Sequence, residues 1–304
     1  MITPAGPQLS ATIREIRWPL TLMFVFDIVV VVCYLVLGWK WISFPHVPLS
    51  ILGVAMGVIL SFRNSITYQR WWEARTLCGS IVNYSRNIAR QALTLIHPAS
   101  DVDEEDPDPI RRRIVYYQIA YVHALRVHLR GEEPWPDLEP FLEPEEIASL
   151  RQEENVPFEI QHRMALLLRD CYRRGWLDSI RWSALDESLT ALANAQGGAE
   201  RIKATPFPPQ YDYLQQTFVR VYCFLLPLGM VSSLGALTPI GSTLIGFFLM
   251  LLDKIGRDLE EPFGNSIHDV PLTSICRTIE ANLKQHLAEA DLPAPEPAIH
   301  GVIW

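Results

Sequence analysis

The chain is poor in cysteine and short of basic residues, and it carries none of the common catalytic loops. Its five cysteines (Cys33, Cys78, Cys171, Cys223 and Cys276) lie far apart with no Cys-x-x-Cys pair. That spacing argues against a disulfide framework or a zinc site and for reduced thiols. A net charge of −8 and a pI near 5.5 leave no basic surface for a phosphate backbone, which argues against nucleic-acid binding. No G-x-x-x-x-G-K-[ST] loop, dinucleotide glycine pattern, H-E-x-x-H or G-x-S-x-G is present. The sequence offers no positive case for an enzyme, a cofactor or a metal. Disorder is excluded as well, because 49% of the 304 residues are hydrophobic and only 20% are charged.

What the sequence does have is strongly segregated. Trp18 to Trp39 contains a single charge, Asp27, and is long enough to cross about 30 Å of hydrocarbon as a helix. It lacks the small-residue cleavage site of a signal peptide and ends in Trp39-Lys40-Trp41, an interfacial anchor. Val47–Phe62 is uncharged and runs without a helix breaker into Arg63–Arg75, so this span is expected to emerge into water as one helix. Val221–Leu252 has no charged residue or histidine. Its centre, Ser232 to Pro239, reads as a turn between spans at roughly 218–236 and 239–254, the first kinked at Pro227.

Four spans in two pairs follow. Arg14, Arg17, Arg63, Arg70, Arg75, Arg86, Arg90, Lys254 and Arg257 fall on one side, and only Lys40 on the other. The expected topology is multi-pass in a cell inner or plasma membrane with both termini cytoplasmic.

Between the span pairs, helical periodicity marks Glu73–Ile96, Ile110–Leu129, Glu145–Glu154 and Pro157–Gly175, and then Ser183–Ala195, which should stop at Gly197-Gly198. The fold class is all-α: four transmembrane helices continuous with a helical cytoplasmic domain. Its expected parts are 1–62 with spans one and two, 63–210 cytoplasmic, 211–256 with spans three and four, and 257–304 as a C-terminal helix and tail.

Asp101, Asp103, Glu104, Glu105, Asp106 and Asp108 form an acidic loop. It lacks the glycine and the glutamate of an EF-hand, so it reads as a solvated linker. The Leu-Glu-Pro pair at Leu138–Pro140 and Leu142–Pro144 reads as helix-start punctuation, and Asp291–Trp304 as a loosely ordered tail. His123 and His128, five apart, do not share a helical face as ligands would; one reads as a surface histidine and the other as partly packed.

The second span carries two stripes of period four. Gly53, Gly57 and Ser61 are small and permit close helix approach; Val54, Val58 and Phe62 are apolar. The apolar stripe faces lipid, a neighbouring helix, or a pore gated by dewetting, and a pore would need an oligomer around an axis. Asp27, the one acid inside a span, has Ser232, Thr243 or Arg63 as candidate partners, with ion binding the other reading.

Three stretches carry a family resemblance. They are Ser61-Phe62-Arg63-Asn64 leading to Tyr68-Gln69-Arg70-Trp71-Trp72-Glu73-Ala74-Arg75, then Gly197-Gly198-Ala199-Glu200-Arg201-Ile202 with Thr205-Pro206, and Leu259-Glu260-Glu261-Pro262-Phe263-Gly264. Together they resemble the bestrophin family in its prokaryotic branch, over about Arg14 to Leu287. The resemblance implies a homopentameric channel for small monovalent ions, whose partners are the bilayer, the ions and other copies of the chain. It places a hydrophobic neck at Val54, Val58 and Phe62 and a cytosolic aperture at Ile180. The family's usual glycine before the phenylalanine is Ser61 here. Where animal members have an acidic calcium clasp after Pro-Phe-Gly, Asp269 is a lone remnant, too few oxygens for a tight site. The family is best known for chloride and other anions, while some prokaryotic members resemble cation channels, toward which Val54 and Val58 lean. A secondary transporter would show inverted repeats, and none is evident; a membrane-anchored sensor or scaffold would give no conductance.

Overall fold

The structure is a computed structural model that describes residues 8–98, 106–297 and 302. Of the acidic loop, Asp101, Asp103, Glu104 and Glu105 lie outside the described residues, as do 298–301 and the last two residues of the tail. Ten α-helices are described in chain order: α1 (Gln8–Leu35), α2 (His46–Leu95), α3 (Asp108–Arg130), α4 (Trp135–Leu138), α5 (Pro144–Leu150), α6 (Val156–Arg173), α7 (Ser179–Ala204), α8 (Pro209–Leu234), α9 (Thr238–Asp258) and α10 (Leu272–His286). No β-strand is formed among the described residues.

The chain divides into two compact units. The membrane unit comprises Ile2–Trp71 and Pro206–Glu261, and the aqueous unit comprises Trp72–Thr205 and Pro262–Trp304. The divide at Trp71 falls inside the unbroken helix α2, which contributes its first half to one unit and its second half to the other.

In the membrane unit, α1, α8 and α9 pack on one another. Among the described residues, three stretches are long and apolar enough to cross a bilayer: Ile13–Leu35, Lys40–Leu95 and Gln210–Asp258. The third is folded as two helices, so four spanning helices result. Their hairpin turns at Gly235, whose φ of +54° suits a residue without a Cβ, and Thr238 Oγ1 donates to the Gly235 carbonyl at 2.7 Å. The core joins Met23, Met56, Leu60, Val219, Tyr222, Cys223 and Leu226. Small residues set the spacing. A side chain at Gly246 would strike Met23, and one at Gly53 would strike the Tyr222 hydroxyl. Lys40 lies over the Tyr34 ring at 3.7 Å beside the Trp39–Trp41 pair, at the end of α1 where an interfacial anchor is expected.

In the aqueous unit α3 is the central helix. Its buried residues run from Ile114 to Leu129 and it packs against α6, α7 and α10. Gly131 and Gly175, at φ +72° and +77°, end α3 and α6 in left-handed turns. The Glu143–Glu146 capping box starts α5, with Pro144 in its first turn; Leu138–Pro140 instead closes α4.

One expectation fails. Helix α7 does not stop at Gly197-Gly198 but continues to Ala204. A Cβ on Gly198 would lie 2.9 Å from a Leu77 methyl, so glycine serves close helix packing here rather than termination.

Candidate functional site

Helix α2 presents two opposite faces within the membrane unit. Met56, Leu60, Arg63 and Thr67 are buried at spacings of four, three and four. At 100° per residue, Val54, Val58 and Phe62 sit about 160–240° around the helix from Met56. They are 70%, 49% and 66% exposed. The apolar stripe is thus left uncovered by the rest of the chain. Of the small-residue stripe, Gly53 is packed against Tyr222, while Gly57 has nothing within 4 Å and Ser61 is exposed.

Directly beyond Phe62, Arg63 turns inward and is 3% exposed. Its guanidinium meets Asp212 at 2.5 Å, Asp253 at 3.2 Å and Glu260 at 3.2 Å. Gln215 donates to Asp253 at 3.1 Å and Arg257 pairs with the same carboxylate at 3.2 Å. Arg70 Nε donates to the Glu260 carbonyl at 2.9 Å. Asn64 Nδ2 donates to the Leu252 carbonyl at 3.1 Å, an approach open because Gly256 has no side chain. A buried guanidinium shared by several carboxylates is held in one orientation by its planar fork. The cluster therefore fixes the rotation of α2 one residue below Phe62. Lys254 pairs with Glu15 at 2.7 Å, so the basic ends of α1, α2 and α9 gather at one end of the unit, as the charge pattern requires.

Sequence reasoning considered Arg63 only as a partner for Asp27 and missed its real partners. The signal was available: Asp212 precedes the third span, Asp253 closes the fourth, and Arg63 follows the second, all at one membrane boundary. Asp27 itself takes a hydrogen bond from Thr243 Oγ1 at 3.1 Å.

Ile180 is the second residue of α7, whose N-cap Asp178 accepts from the Arg181 amide at 2.8 Å. It is 80% exposed, so it is not a core residue of this chain. Asp269 is buried, and both its oxygens accept from Ser266, the amide and the hydroxyl each at 2.6 Å. These bonds staple the loop after Phe263. Among the described residues, no group of three or more His, Cys, Asp or Glu is able to hold a metal ion.

The motif residues are ties between stretches far apart in sequence. Arg63 joins Glu260, and Glu73 is ion-paired with Arg201. Glu200 accepts from Asn155 at 3.0 Å and Gln196 at 2.7 Å.

His123 is buried, stacked on Phe141 at 5.4 Å and bonded to Glu280 at 3.1 Å, while His128 is partly exposed and 3.4 Å from Glu200. His123 is therefore more enclosed than its spacing suggests, because α10 supplies a carboxylate for it. Burial works against ionisation of Glu280, but bonds from His123 and Lys284 outweigh it and hold the carboxyl below its usual range. Burial pushes the Cys78 and Cys276 thiols up to about 12, against a smaller opposing pull from nearby arginines, which leaves them inert as nucleophiles.

Four spanning helices, one of which turns an apolar edge away from its own chain, define a polytopic helical membrane protein. Residues 8–285 match the family described as Bacterial/Fungal Bestrophin protein. A voltage-dependent anion channel-forming protein of Mesorhizobium japonicum is 35% identical over 250 residues, 81% of this chain and 77% of that protein. One from Escherichia coli K12 is 33% identical over 288 residues, 94% of this chain and 91% of that protein. A crystal structure of a bacterial bestrophin homologue from Klebsiella pneumoniae superposes with a TM-score of 0.84 at 30% identity, covering 91% of this chain and all of that one. The chain belongs to the bacterial bestrophin family of ion channels.

Proposed function

We propose that five copies of this chain surround one axial pore and that α2 of each lines its neck with Val54, Val58 and Phe62. The observation that carries this reading is the uncovered apolar edge of α2, lying opposite a face locked in place by Arg63. A ring of such side chains controls flow by wetting and dewetting rather than by coordination. Five is the number the family resemblance implies. The open Gly57 and Ser61 leave room for a neighbouring α2 to approach closely.

Ile180 forms the second constriction at the cytosolic end, an assignment that agrees with its exposure at the start of α7. The protein resides in the inner or plasma membrane with both termini cytoplasmic, in accord with the basic residues gathered at one end of the membrane unit. Both Asp269 oxygens are engaged by Ser266, and a lone carboxylate offers too few oxygens for a tight calcium clasp.

The permeant species are small monovalent ions. The curated relatives are named for anions, and we take anion conduction as the first reading. A second reading, cation conduction, is favoured by the small aliphatic pair Val54 and Val58, since an apolar ring of itself selects no sign. Single-channel recording of the reconstituted protein in asymmetric salt decides between them. A reversal potential on the chloride side supports the first reading and one on the cation side the second. Silence of verified, inserted pentamers refutes the channel and leaves a scaffold.

A further inference from the structure

Inside the membrane unit, between α1 and α9, lies a polar site for which conduction through the neck has no use. Asp27 is 0% exposed within a single chain, so no neighbouring subunit is needed to bury it. Its Oδ2 accepts from Thr243 Oγ1, but its Oδ1 is buried with no hydrogen-bond partner. Ser242, also 0% exposed, lies beside the carboxyl, and its Oγ is likewise buried without a partner. Two unmatched oxygens thus share one enclosed place.

Among the described residues Asp27 forms no ion pair. On α1, Asp27 is the only charged residue between Trp18 and Trp39. From α8 the facing titratable group is the Cys223 thiol; Arg220, one turn earlier on that helix, is exposed and donates to Gln216 at 3.2 Å. On α9 the neighbours are the hydroxyls of Ser242 and Thr243. The nearest cation along that helix, Lys254, is eleven residues on, about 16 Å at 1.5 Å per residue, and is already bonded to Glu15 and Asp258. A carboxylate at this depth, with only the Thr243 and Ser242 hydroxyls beside it and no counter-charge, costs several kcal/mol.

We propose that Asp27, Ser242 and Thr243 form an intramembrane proton-binding site, with the proton held between Asp27 Oδ1 and Ser242 Oγ. The proton turns Oδ1 from an unmatched acceptor into a donor, which Ser242 Oγ accepts. Thr243 continues to hold Oδ2. The proton comes from and returns to water, and no other group changes its bonding. A metal ion fits less well, since two carboxylate and two hydroxyl oxygens fall short of the six to eight that a hard divalent cation gathers. The site rests on α1 and α9 being membrane spans, but not on which ion the pore passes.

Infrared difference spectroscopy of the full-length protein in lipid, near neutral pH, tests this without reference to conductance. The wild type minus Asp27→Asn should show the C=O stretch of one neutral carboxyl per chain, moving on exchange into D2O. Ser242→Ala should shift that band, which keeps the test valid if Asp27→Asn fails to assemble. A difference spectrum containing only ionised-carboxylate bands overturns the proposal. So does a neutral-carboxyl band that vanishes when sodium replaces choline in the buffer, since that would make the ligand a metal ion.

Discussion

The two units of the molecule solve opposite problems with the same helices. In the aqueous unit the apolar residues of α3 are inside, and charges pair nearer the surface, Arg112 with Glu289 and Arg113 with Glu146. In the membrane unit Val25, Val29, Val54, Phe62, Phe224 and Phe248 are exposed, while Asp27, Arg63 and Asp253 are buried. Lipid removes the penalty for exposed apolar groups and raises the cost of any polar group left unpaired. A surface hydrophobe thus means little in one unit and a buried charge means a great deal. The outward edge of α2 combines apolar residues, small residues and a charge anchor at its end.

The contrast breaks most readily at the charge anchor. Arg63→Met leaves the carboxylates of Asp212, Asp253 and Glu260 without their shared cation. Losing one partner of a buried ion pair costs about 3–5 kcal/mol. The expected outcome is a large loss of correctly assembled oligomer on size-exclusion chromatography in detergent, with Arg63→Lys intermediate because lysine lacks the planar fork. An unchanged profile for Arg63→Met would mean that the cluster does not hold α2.

Phe62→Ala sharpens the comparison from the exposed side. The folded chain should keep its melting temperature, since the side chain is mostly uncovered, while single-channel conductance rises several-fold as the neck wets. A large drop in melting temperature with unchanged conductance would mark Phe62 as a packing residue. Ile180→Ala should raise conductance less, again with little effect on stability, because its side chain contacts little of its own chain.

In the aqueous unit an acid-sensitive contact is expected at Glu280. Its carboxyl is held below the ordinary 4.5 by the bonds from His123 and Lys284. A group with a lowered native pKa contributes stability that is fully present above its unfolded value and is lost as pH falls through the native one. Thermal melts should therefore weaken below about pH 4.5, and Glu280→Gln should flatten that loss while lowering stability at neutral pH. If the mutant keeps the full acid slope, the contact is not its source. The smallest effect concerns the thiols: Cys78 and Cys276, pushed up to about 12 by burial, should resist maleimide in the folded protein and react fully once it is denatured.

The features legible in sequence were those written by a single helix. The first span, the Ser232–Pro239 turn, the continuation of α2 past Arg63 and the two stripes of α2 are all periodicities or breaks along one element. Features that need two elements were harder to read. Gly197-Gly198 looked like a stop because a glycine pair has low helix propensity, and only the approach of Leu77 explains why the helix continues. Thr243 was one of three candidate partners for Asp27, and hydropathy had no means of choosing among them. His123 looked unremarkable until α10 brought Glu280 to it. The Arg63 cluster draws on three helices and the residues just beyond α9, and its members are spread over nearly two hundred positions.

The central claim is that the Val54–Val58–Phe62 edge faces a shared water-filled axis. Val58→Cys tests it most directly, in planar bilayers, with a small cationic methanethiosulfonate added during single-channel recording. The account predicts a stepwise, irreversible fall in current in Val58→Cys and none in wild type, whose Cys78, Cys171, Cys223 and Cys276 are buried and whose half-buried Cys33 lies on α1 rather than on the neck helix. A Val58→Cys channel whose current is untouched by the reagent from either side would place that edge in lipid and contradict the account.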